Sequence, residues 1–265
     1  MGGGGIWRDA ATHEDASTGK TFAYVAAQGT QSGGNPDTYV VDLSYLSGDI
    51  NNPDLVDSDP IPPSGYQNIG YTGKGHTMNV ARGLLFLNTA SSTDGCIVFD
   101  LTADPWNPRE LFNTGGSGQN CHDSFVREDL DVSGTLKDIL FVSDGSGRLT
   151  RFYDITNVDA SWTAGTPPPQ VGETIEISGI YSHECWLSED GRYLFEFDET
   201  SNGLCIVHDV SDLANPVWIT TFHHSEQDSW AALPHNGQVR GNYLYVAYYW
   251  AGERVFDISN PYVPG

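Results

Sequence analysis

Four histidines open short apolar segments at regular intervals along this chain of 265 residues. The segments read GHTMNV, CHDSFV, SHECWL and PHNGQV, and their histidines are His76, His122, His183 and His235. Imidazole is the common nitrogen ligand of protein-bound zinc, copper, iron and nickel. If the fold brings these positions together, the four side chains predict a divalent transition-metal site, with zinc, copper, iron or manganese as candidate ions.

Two acidic residues directly follow histidines, Asp123 after His122 and Glu184 after His183. Neighbouring residues of a strand point to opposite faces. We therefore expect these carboxylates to orient the histidines or to transfer protons, rather than to bind the same ion. Asp123 and Glu184 are the predicted catalytic groups.

The first repeat has no histidine at the position where the other four have one. It reads WRDAAT (7–12), which places Asp9 in line with Asp123 and Glu184. A histidine that every repeat needed for folding would recur here, so its replacement favours a functional role for the other four. Arg8, Asp9 and Trp186 are the predicted substrate-binding residues, with Arg8 as an anion clamp and Trp186 as a stacking surface for a sugar. A surface salt bridge and packing between repeats are the structural alternatives.

Each repeat closes with an aspartate that ends a strand-like run, followed by serine or threonine. These aspartates recur about every 50 residues, a period typical of repeat architectures. Aspartate side chains accept hydrogen bonds from backbone amides a few residues on, so we predict that they are structural. The closing aspartates are Asp42, Asp100, Asp154, Asp209 and Asp257.

The elements that must position the histidines are β-strands. Runs such as FAYVAA (22–27) and DILFVSD (138–144) are rich in β-branched and aromatic residues, and no window indicates an amphipathic helix. Repeats of three or four short strands arranged radially make a β-propeller, in which residues that open the innermost strands meet at one rim of the channel. A two-sheet sandwich would explain the strands but not the repeat.

We therefore predict an all-β fold, a β-propeller with five recognisable blade repeats that forms a single domain over residues 1–265. The five blades either close as a small propeller or are a segment of a larger one. The predicted repeats cover residues 6–48, 73–108, 119–160, 180–216 and 232–264.

The composition limits the partners. A formal net charge of -23 repels phosphate backbones, which argues against nucleic acid. No apolar run approaches the ~20 residues of a transmembrane helix, so we expect no membrane insertion. A small molecule, a glycan or a surface ligand is the expected partner. The four cysteines form no paired zinc motif, and we expect free, packed thiols.

Several segments resemble a known family. WRD near the start, HECWLSEDGRYLF (183–195) and HNGQVRGNYLYVAYYWAGERVFDISNP (235–261) are similar to the LVIVD-repeat propellers, often described as choice-of-anchor B proteins. The resemblance spans nearly the whole chain and implies an exported protein, whether extracellular, at the cell surface or periplasmic. Members of that family carry a further repeat before WRD, more sequence after the last DIS, and a C-terminal anchor. The family name defines no activity.

Two functions follow from these observations. The first is an extracellular or periplasmic propeller with an axial, histidine-rich metal site, acting as a metal-dependent hydrolase, lyase or oxidase. The second is a non-catalytic surface binding scaffold whose histidines are structural, as the glycine-histidine pairs of tryptophan–aspartate repeat propellers are.

Overall fold

The computed structural model describes residues 7–28, 37–45, 63–71, 73–90, 94–115, 119–163, 165–200, 203–224 and 233–265, apart from the side chains of residues 7, 8 and 63. Nineteen strands and three short 3-10 turns make up the regular structure of this part of the chain. The strands form five antiparallel sheets of three or four strands each, and within every sheet the strands lie in chain order. The predicted all-β propeller with five blades is confirmed.

The blades are numbered in chain order. Blade 1 contains β1 (Trp7–Asp15), β2 (Lys20–Gln28), β3 (Thr38–Asp42) and β4 (Tyr66–Gly70). Blade 2 contains β5 (Thr77–Ala81), β6 (Leu84–Asn88), β7 (Cys96–Asp100) and β8 (Arg109–Asn113). Blade 3 contains β9 (Asp123–Val132), β10 (Thr135–Ser143), β11 (Thr150–Asp154) and β12 (Gln170–Glu173). Blade 4 contains β13 (Ser182–Leu187), β14 (Tyr193–Asp198), β15 (Cys205–Asp209) and β16 (Val217–Phe222). Blade 5 contains β17 (Gly237–Arg240), β18 (Tyr243–Tyr248) and β19 (Gly252–Asp257).

A fourth strand lies beyond the predicted end of each of the first four repeats. β4, β8, β12 and β16 each pair with the strand that ends in the closing aspartate. The 3-10 turns, which cover Leu43–Tyr45, Pro63–Gly65 and Tyr249–Ala251, lie in the connections between strands.

The middle strands of blades 2 to 4 are buried on both faces because each of these blades packs between two others. In β6, Leu84 and Phe86 contact blade 3, whereas Leu85 and Leu87 contact blade 1. Alternation therefore does not separate core from solvent in these strands. Alternate side chains of one strand instead face two different cores. Apolar residues are therefore needed at almost every position, which explains the nearly continuous apolar runs in the sequence.

Four cores join the blades in sequence, between blades 1 and 2, 2 and 3, 3 and 4, and 4 and 5. Within the described residues, blades 5 and 1 share no such core, and their innermost strands β17 and β1 do not pack together as those of the other neighbouring blades do.

All five closing aspartates have the predicted structural role. Each accepts a hydrogen bond from the backbone N–H two residues later, as in the pairs Asp154–Thr156 at 3.1 Å and Asp257–Ser259 at 2.8 Å. The other three make the same contact: Asp42 with Ser44, Asp100 with Thr102, and Asp209 with Ser211.

All four cysteines are buried and free, as predicted. None of the helices in the described residues is long and apolar enough to cross a membrane.

Replacing Asp154 with alanine tests the structural role of the closing aspartates. Asp154 also accepts a hydrogen bond from Lys137, at 2.6 Å. Burial raises the pKa of Asp154, but the hydrogen bonds from Lys137 and Thr156 outweigh it, and the pKa lies below its ordinary value of 3.8. We expect Asp154→Ala to lower the free energy of unfolding by about 1–2 kcal/mol at pH 7.

A depressed carboxyl pKa stabilises the fold above the ordinary value, and the contribution disappears as the pH falls through the lowered pKa. Denaturant unfolding at pH 7 and at pH 3 should therefore show the difference between wild type and variant shrinking with acid. The exposed Glu128→Ala is the control. Equal losses in the two variants at pH 7 would contradict the proposed role.

Candidate functional site

The four predicted histidines lie together at one end of the innermost strands. Ring centroids are 4.3 Å apart for His76 and His122, 4.3 Å for His122 and His183, and 3.9 Å for His183 and His235. Four imidazoles from blades 2 to 5 therefore form a continuous row.

Backbone pairing at the start of each strand positions the rings. The N–H groups of His76, His122 and His235 each donate, at 2.8 Å, to a carbonyl at the end of the second strand of their own blade. These three histidines precede strands β5, β9 and β17, and the register of β13 shifts between Ser182 and Glu184. Strict alternation between opposite faces therefore does not apply to a histidine and the residue after it.

Three of the Nδ1 atoms lie against oxygen atoms. His76 Nδ1 is 2.6 Å from Gln28 Oε1, His122 Nδ1 is 3.1 Å from the carbonyl oxygen of His183, and His235 Nδ1 contacts Asn236 Oδ1. An oxygen acceptor at Nδ1 places the proton there in a neutral imidazole. The lone pair of such a ring then lies on Nε2, and metal-binding histidines are commonly fixed in this way.

Burial favours the neutral form of His76, His122 and His183. Burial, reinforced by the charge of His76, lowers the pKa of His122 to about 3. The pKa of His183 falls well below its ordinary value for the same main reason, with added repulsion from the neighbouring histidines and an opposing backbone hydrogen bond at His235. The pKa of His76 is also lowered by burial. Neutral imidazoles are the form that binds metal ions.

Glu199, which was not predicted from the sequence, lies beside this row. Its Oε2 is 3.6 Å from His183 Nε2 and its Oε1 is 3.8 Å from His235 Nε2, while the Tyr249 hydroxyl donates a hydrogen bond to Oε1. Ligand atoms of His122, His183 and Glu199 all lie within 4.8 Å of one another, so these three side chains could hold a metal ion.

One signal in the sequence could have pointed to Glu199 and Tyr249. Each is the first residue after the second strand of its blade, since β14 ends at Asp198 and β18 at Tyr248. The turn after this strand lies beside the start of the innermost strands, where the histidines are. The Glu199 N–H, for example, donates at 3.1 Å to the Tyr181 carbonyl, two residues before His183.

The carboxylates of Asp9, Asp123 and Glu184 line a cavity of about 540 Å³ together with His76 and His235. No lysine or arginine lines this cavity among the described residues. The acidic groups are anchored to backbone amides. Asp9 accepts from Met78 N at 2.8 Å, Asp123 from Ser124 N at 2.7 Å, and Glu184 from Gly237 N at 2.6 Å.

Burial raises the pKa of both Asp123 and Glu184. Repulsion from Asp123 adds to the rise at Glu184, and hydrogen bonds from Ser124 and Thr77 only partly offset the rise at Asp123. Buried carboxyl groups with raised pKa values are suited to proton transfer near neutral pH.

The predicted substrate-binding residues have different surroundings. Trp186 lines the cavity and stacks on Phe125 of blade 3, with ring centroids 5.0 Å apart and planes 20° apart. It therefore contributes both to packing between blades and to the cavity wall. Asp9 lines the cavity as well, whereas the side chain of Arg8 lies outside the described part of the chain.

Sequence comparison identifies the repeat. The LVIVD repeat model matches residues 187–223 and 237–265. The chain carries LVIVD repeats. This confirms the predicted LVIVD resemblance, while the choice-of-anchor B part of it stays a prediction. No curated protein matches the sequence.

Solved structures with the same fold include the periplasmic gluconolactonase of Pseudomonas aeruginosa (TM-score 0.57, 11% identity, 93% of this chain and 65% of that one). A protein from Bacteroides fragilis, described provisionally as a 6-phosphogluconolactonase, is similar with a TM-score of 0.61 and 14% identity, over 97% of this chain and 68% of that one. A Lactobacillus plantarum protein gives a TM-score of 0.58 and 10% identity, over 97% and 68%. This chain thus spans about two thirds of their lengths, and identities this low show a shared fold alone.

The LVIVD matches cover Glu199 and Tyr249 but none of the four histidines. The repeat model therefore describes the second to fourth strands of blade 4 and the strands of blade 5. The histidine row has to be judged on its own geometry.

Replacing Asp123 with asparagine tests the buried carboxyl pair. A carboxyl pKa raised by folding makes the fold lose stability as the pH rises through the raised value. In chelator-treated protein, we expect Asp123→Asn to gain stability relative to wild type between pH 5 and pH 8, by more than about 1 kcal/mol. Denaturant unfolding at the two pH values measures this. The exposed Glu128→Gln should show no such pH-dependent gain, and a pH-independent difference for Asp123→Asn would refute the raised pKa.

Proposed function

We propose that the histidine row binds a divalent transition metal and that the protein is a metal-dependent hydrolase. The geometry around His122 and His183 carries the proposal. An oxygen acceptor at Nδ1 of His122 leaves its Nε2 as a ligand atom, His183 Nε2 lies 3.6 Å from Glu199 Oε2, and burial lowers the pKa of both rings. The predicted metal ligands His76, His122, His183 and His235 all belong to this row. Zinc, copper, iron and manganese all remain candidates for such a donor set.

The metal would supply Lewis acidity, and the chain supplies the proton-transfer groups. Asp123 and Glu184 share the cavity with His76 and His235. Their raised pKa values suit one of them to accept a proton from an attacking water while the other stays protonated and donates to the leaving group. This division of roles favours hydrolysis over the lyase and oxidase alternatives.

The cavity favours an uncharged substrate. Three acidic side chains and no lysine or arginine line its described part, so a phosphorylated or carboxylated ligand would lack a cationic partner there. Trp186 offers an apolar wall on which a sugar ring can stack. A neutral sugar lactone fits these properties, and one protein of the same fold is named a gluconolactonase.

We also propose an extracellular or periplasmic location and a small-molecule or glycan partner. The net charge of -23 argues against nucleic acid, and the gluconolactonase of the same fold is described as periplasmic.

The second candidate is a non-catalytic binding scaffold, and one observation favours it. Polar groups of the site also join neighbouring blades, since His122 Nδ1 reaches the His183 carbonyl and Glu184 reaches Gly237 N. Side chains with these contacts would be retained for folding alone.

Metal binding separates the two candidates. Purified protein titrated with Zn²⁺ or Co²⁺ should bind one ion per chain, and His183→Gln should lower the affinity at least ~10-fold. At a free metal concentration 100 times the Kd, the wild type should gain about 2.7 kcal/mol of stability. Calorimetry and thermal unfolding measure both quantities.

The control is His223→Gln, because His223 is exposed, lies outside the histidine row and has its Nδ1 2.9 Å from the neighbouring His224 carbonyl oxygen. It should bind metal as the wild type does. A wild type that binds no metal, with His183→Gln altering only stability, would leave the scaffold as the function.

Hydrolysis of a neutral sugar lactone is the matching activity test. Glu184→Gln keeps an oxygen that can accept from Gly237 N but removes the titrating proton. We expect kcat to fall by about 10²–10⁴-fold with metal affinity unchanged. The same lactone carrying a phosphate should be a poorer substrate for the wild type. Rates are measured against spontaneous hydrolysis, and a Glu184→Gln enzyme as fast as the wild type would exclude Glu184 as a proton-transfer group.

A further inference from the structure

We infer that the metal ligands are His122, His183 and Glu199, with Tyr249 positioning the Glu199 carboxylate, and that His76 and His235 face the cavity instead. This inference rests on the proposed metal binding. It replaces a symmetric four-histidine site with a site of two histidines and one carboxylate.

The separation between Glu199 and His183 supports a shared ion. Oε2 and Nε2 are 3.6 Å apart, which is too long for a hydrogen bond. Two ligand atoms that each lie ~2.1 Å from one ion at a tetrahedral angle are ~3.4 Å apart. The observed distance is therefore close to that expected for two ligands of one metal.

The burial of the four histidines also indicates that His122 and His183 are the metal ligands. His122 and His183 are 4% and 1% exposed, and neither lines the cavity, whereas His76 and His235 do. The rings of His76 and His235 lie 4.3 Å and 3.9 Å from those of His122 and His183. The outer histidines thus flank the buried pair at the two ends of the row, and they are the members that line the cavity.

Tyr249 fixes the direction of the carboxylate. Its hydroxyl donates to Glu199 Oε1, so that oxygen is engaged and Oε2 is left to face His183. The Tyr249 ring also packs edge-on against His235, with centroids 5.0 Å apart. Tyr249 is therefore a positioning residue that acts on the metal through Glu199.

Two histidines and one carboxylate leave coordination positions open. Sites of this composition are used for catalysis, in zinc hydrolases and in iron enzymes, because water and substrate can reach the ion. A carboxylate also adds a negative charge that four neutral imidazoles lack. The ligand set thus deepens the proposed hydrolase function.

Cobalt titration of the full chain tests the ligand set. Metal-free protein is prepared with a chelator, and Co²⁺ binding is followed by visible absorption and by competition with a chelating dye. We expect Glu199→Gln to weaken Co²⁺ binding at least ~10-fold and to change the absorption spectrum. His76→Gln should leave the spectrum unchanged and the affinity within about threefold. Glu199→Asp keeps the charge but shortens the side chain, so its loss of Co²⁺ affinity should be smaller than that of Glu199→Gln. This second variant also tests the role of Glu199 if Glu199→Gln fails to fold.

A double-mutant cycle tests the positioning role. Tyr249→Phe should weaken Co²⁺ binding in the wild type but have no further effect in the Glu199→Gln background, since the hydroxyl acts only through that carboxylate. Additive effects of the two changes would overturn the role of Tyr249.

Failure of the proposed ligand set and failure of the proposed metal binding give different results. Unchanged binding in both Glu199 variants, or a loss in His76→Gln as large as that in Glu199→Gln, would overturn the inference and restore the four-histidine site. A wild type that binds neither Co²⁺ nor Zn²⁺ would instead refute the proposed function itself.

Discussion

Polar side chains at the start of the innermost strands bind the backbone of the next blade. Asp9 accepts from Met78 N, Glu184 accepts from Gly237 N, and the Thr77 hydroxyl donates to the His122 carbonyl. The strands converge here, and a buried backbone group left without a partner costs about 1–3 kcal/mol. Residues that join the blades at this end must therefore be polar, and the same requirement fills the end of the channel with groups capable of chemistry.

Structural and chemical roles of the histidines use different atoms of the same ring. Nδ1 of His122 binds a carbonyl of the next blade, and Nδ1 of His76 binds Gln28 of the preceding one. These contacts hold neighbouring blades together, and they also fix the tautomer that exposes Nε2. A blade-joining histidine is thus already oriented as a ligand. The scaffold contacts are a precondition for metal binding as much as an alternative to it.

Features that recur locally could be predicted from the sequence, whereas features set by turns could not. Five repeats, their closing aspartates and the convergence of the histidines follow from a pattern that returns in each blade. The fourth strands follow connections of unequal length, and the Asn-Pro pair that directly precedes β8 and β16 does not precede β4 or β12. Glu199 reaches His183 because of where the chain turns after β14, and the shifted register beside His183 cannot be read from alternation. The position of Glu199 directly after the second strand of its blade is its one signal in the sequence, and nothing in the local sequence specifies the shifted register.

Departures from the repeat determine where chemistry can occur. Blade 1 supplies Gln28 rather than a histidine, so the row begins with a ring held by an amide. Ala90 and Gly145 lie in the turns after the second strands of blades 2 and 3, and their N–H groups donate to the next blade at 2.8 Å. Blades 4 and 5 have Glu199 and Tyr249 in these turns instead. If the blades were identical, the histidine rings would be equivalent and the two ends of the row would not differ. Here Glu199 lies 3.6 Å and 3.8 Å from the Nε2 atoms of His183 and His235, and this asymmetry allows one position along the row to hold an ion.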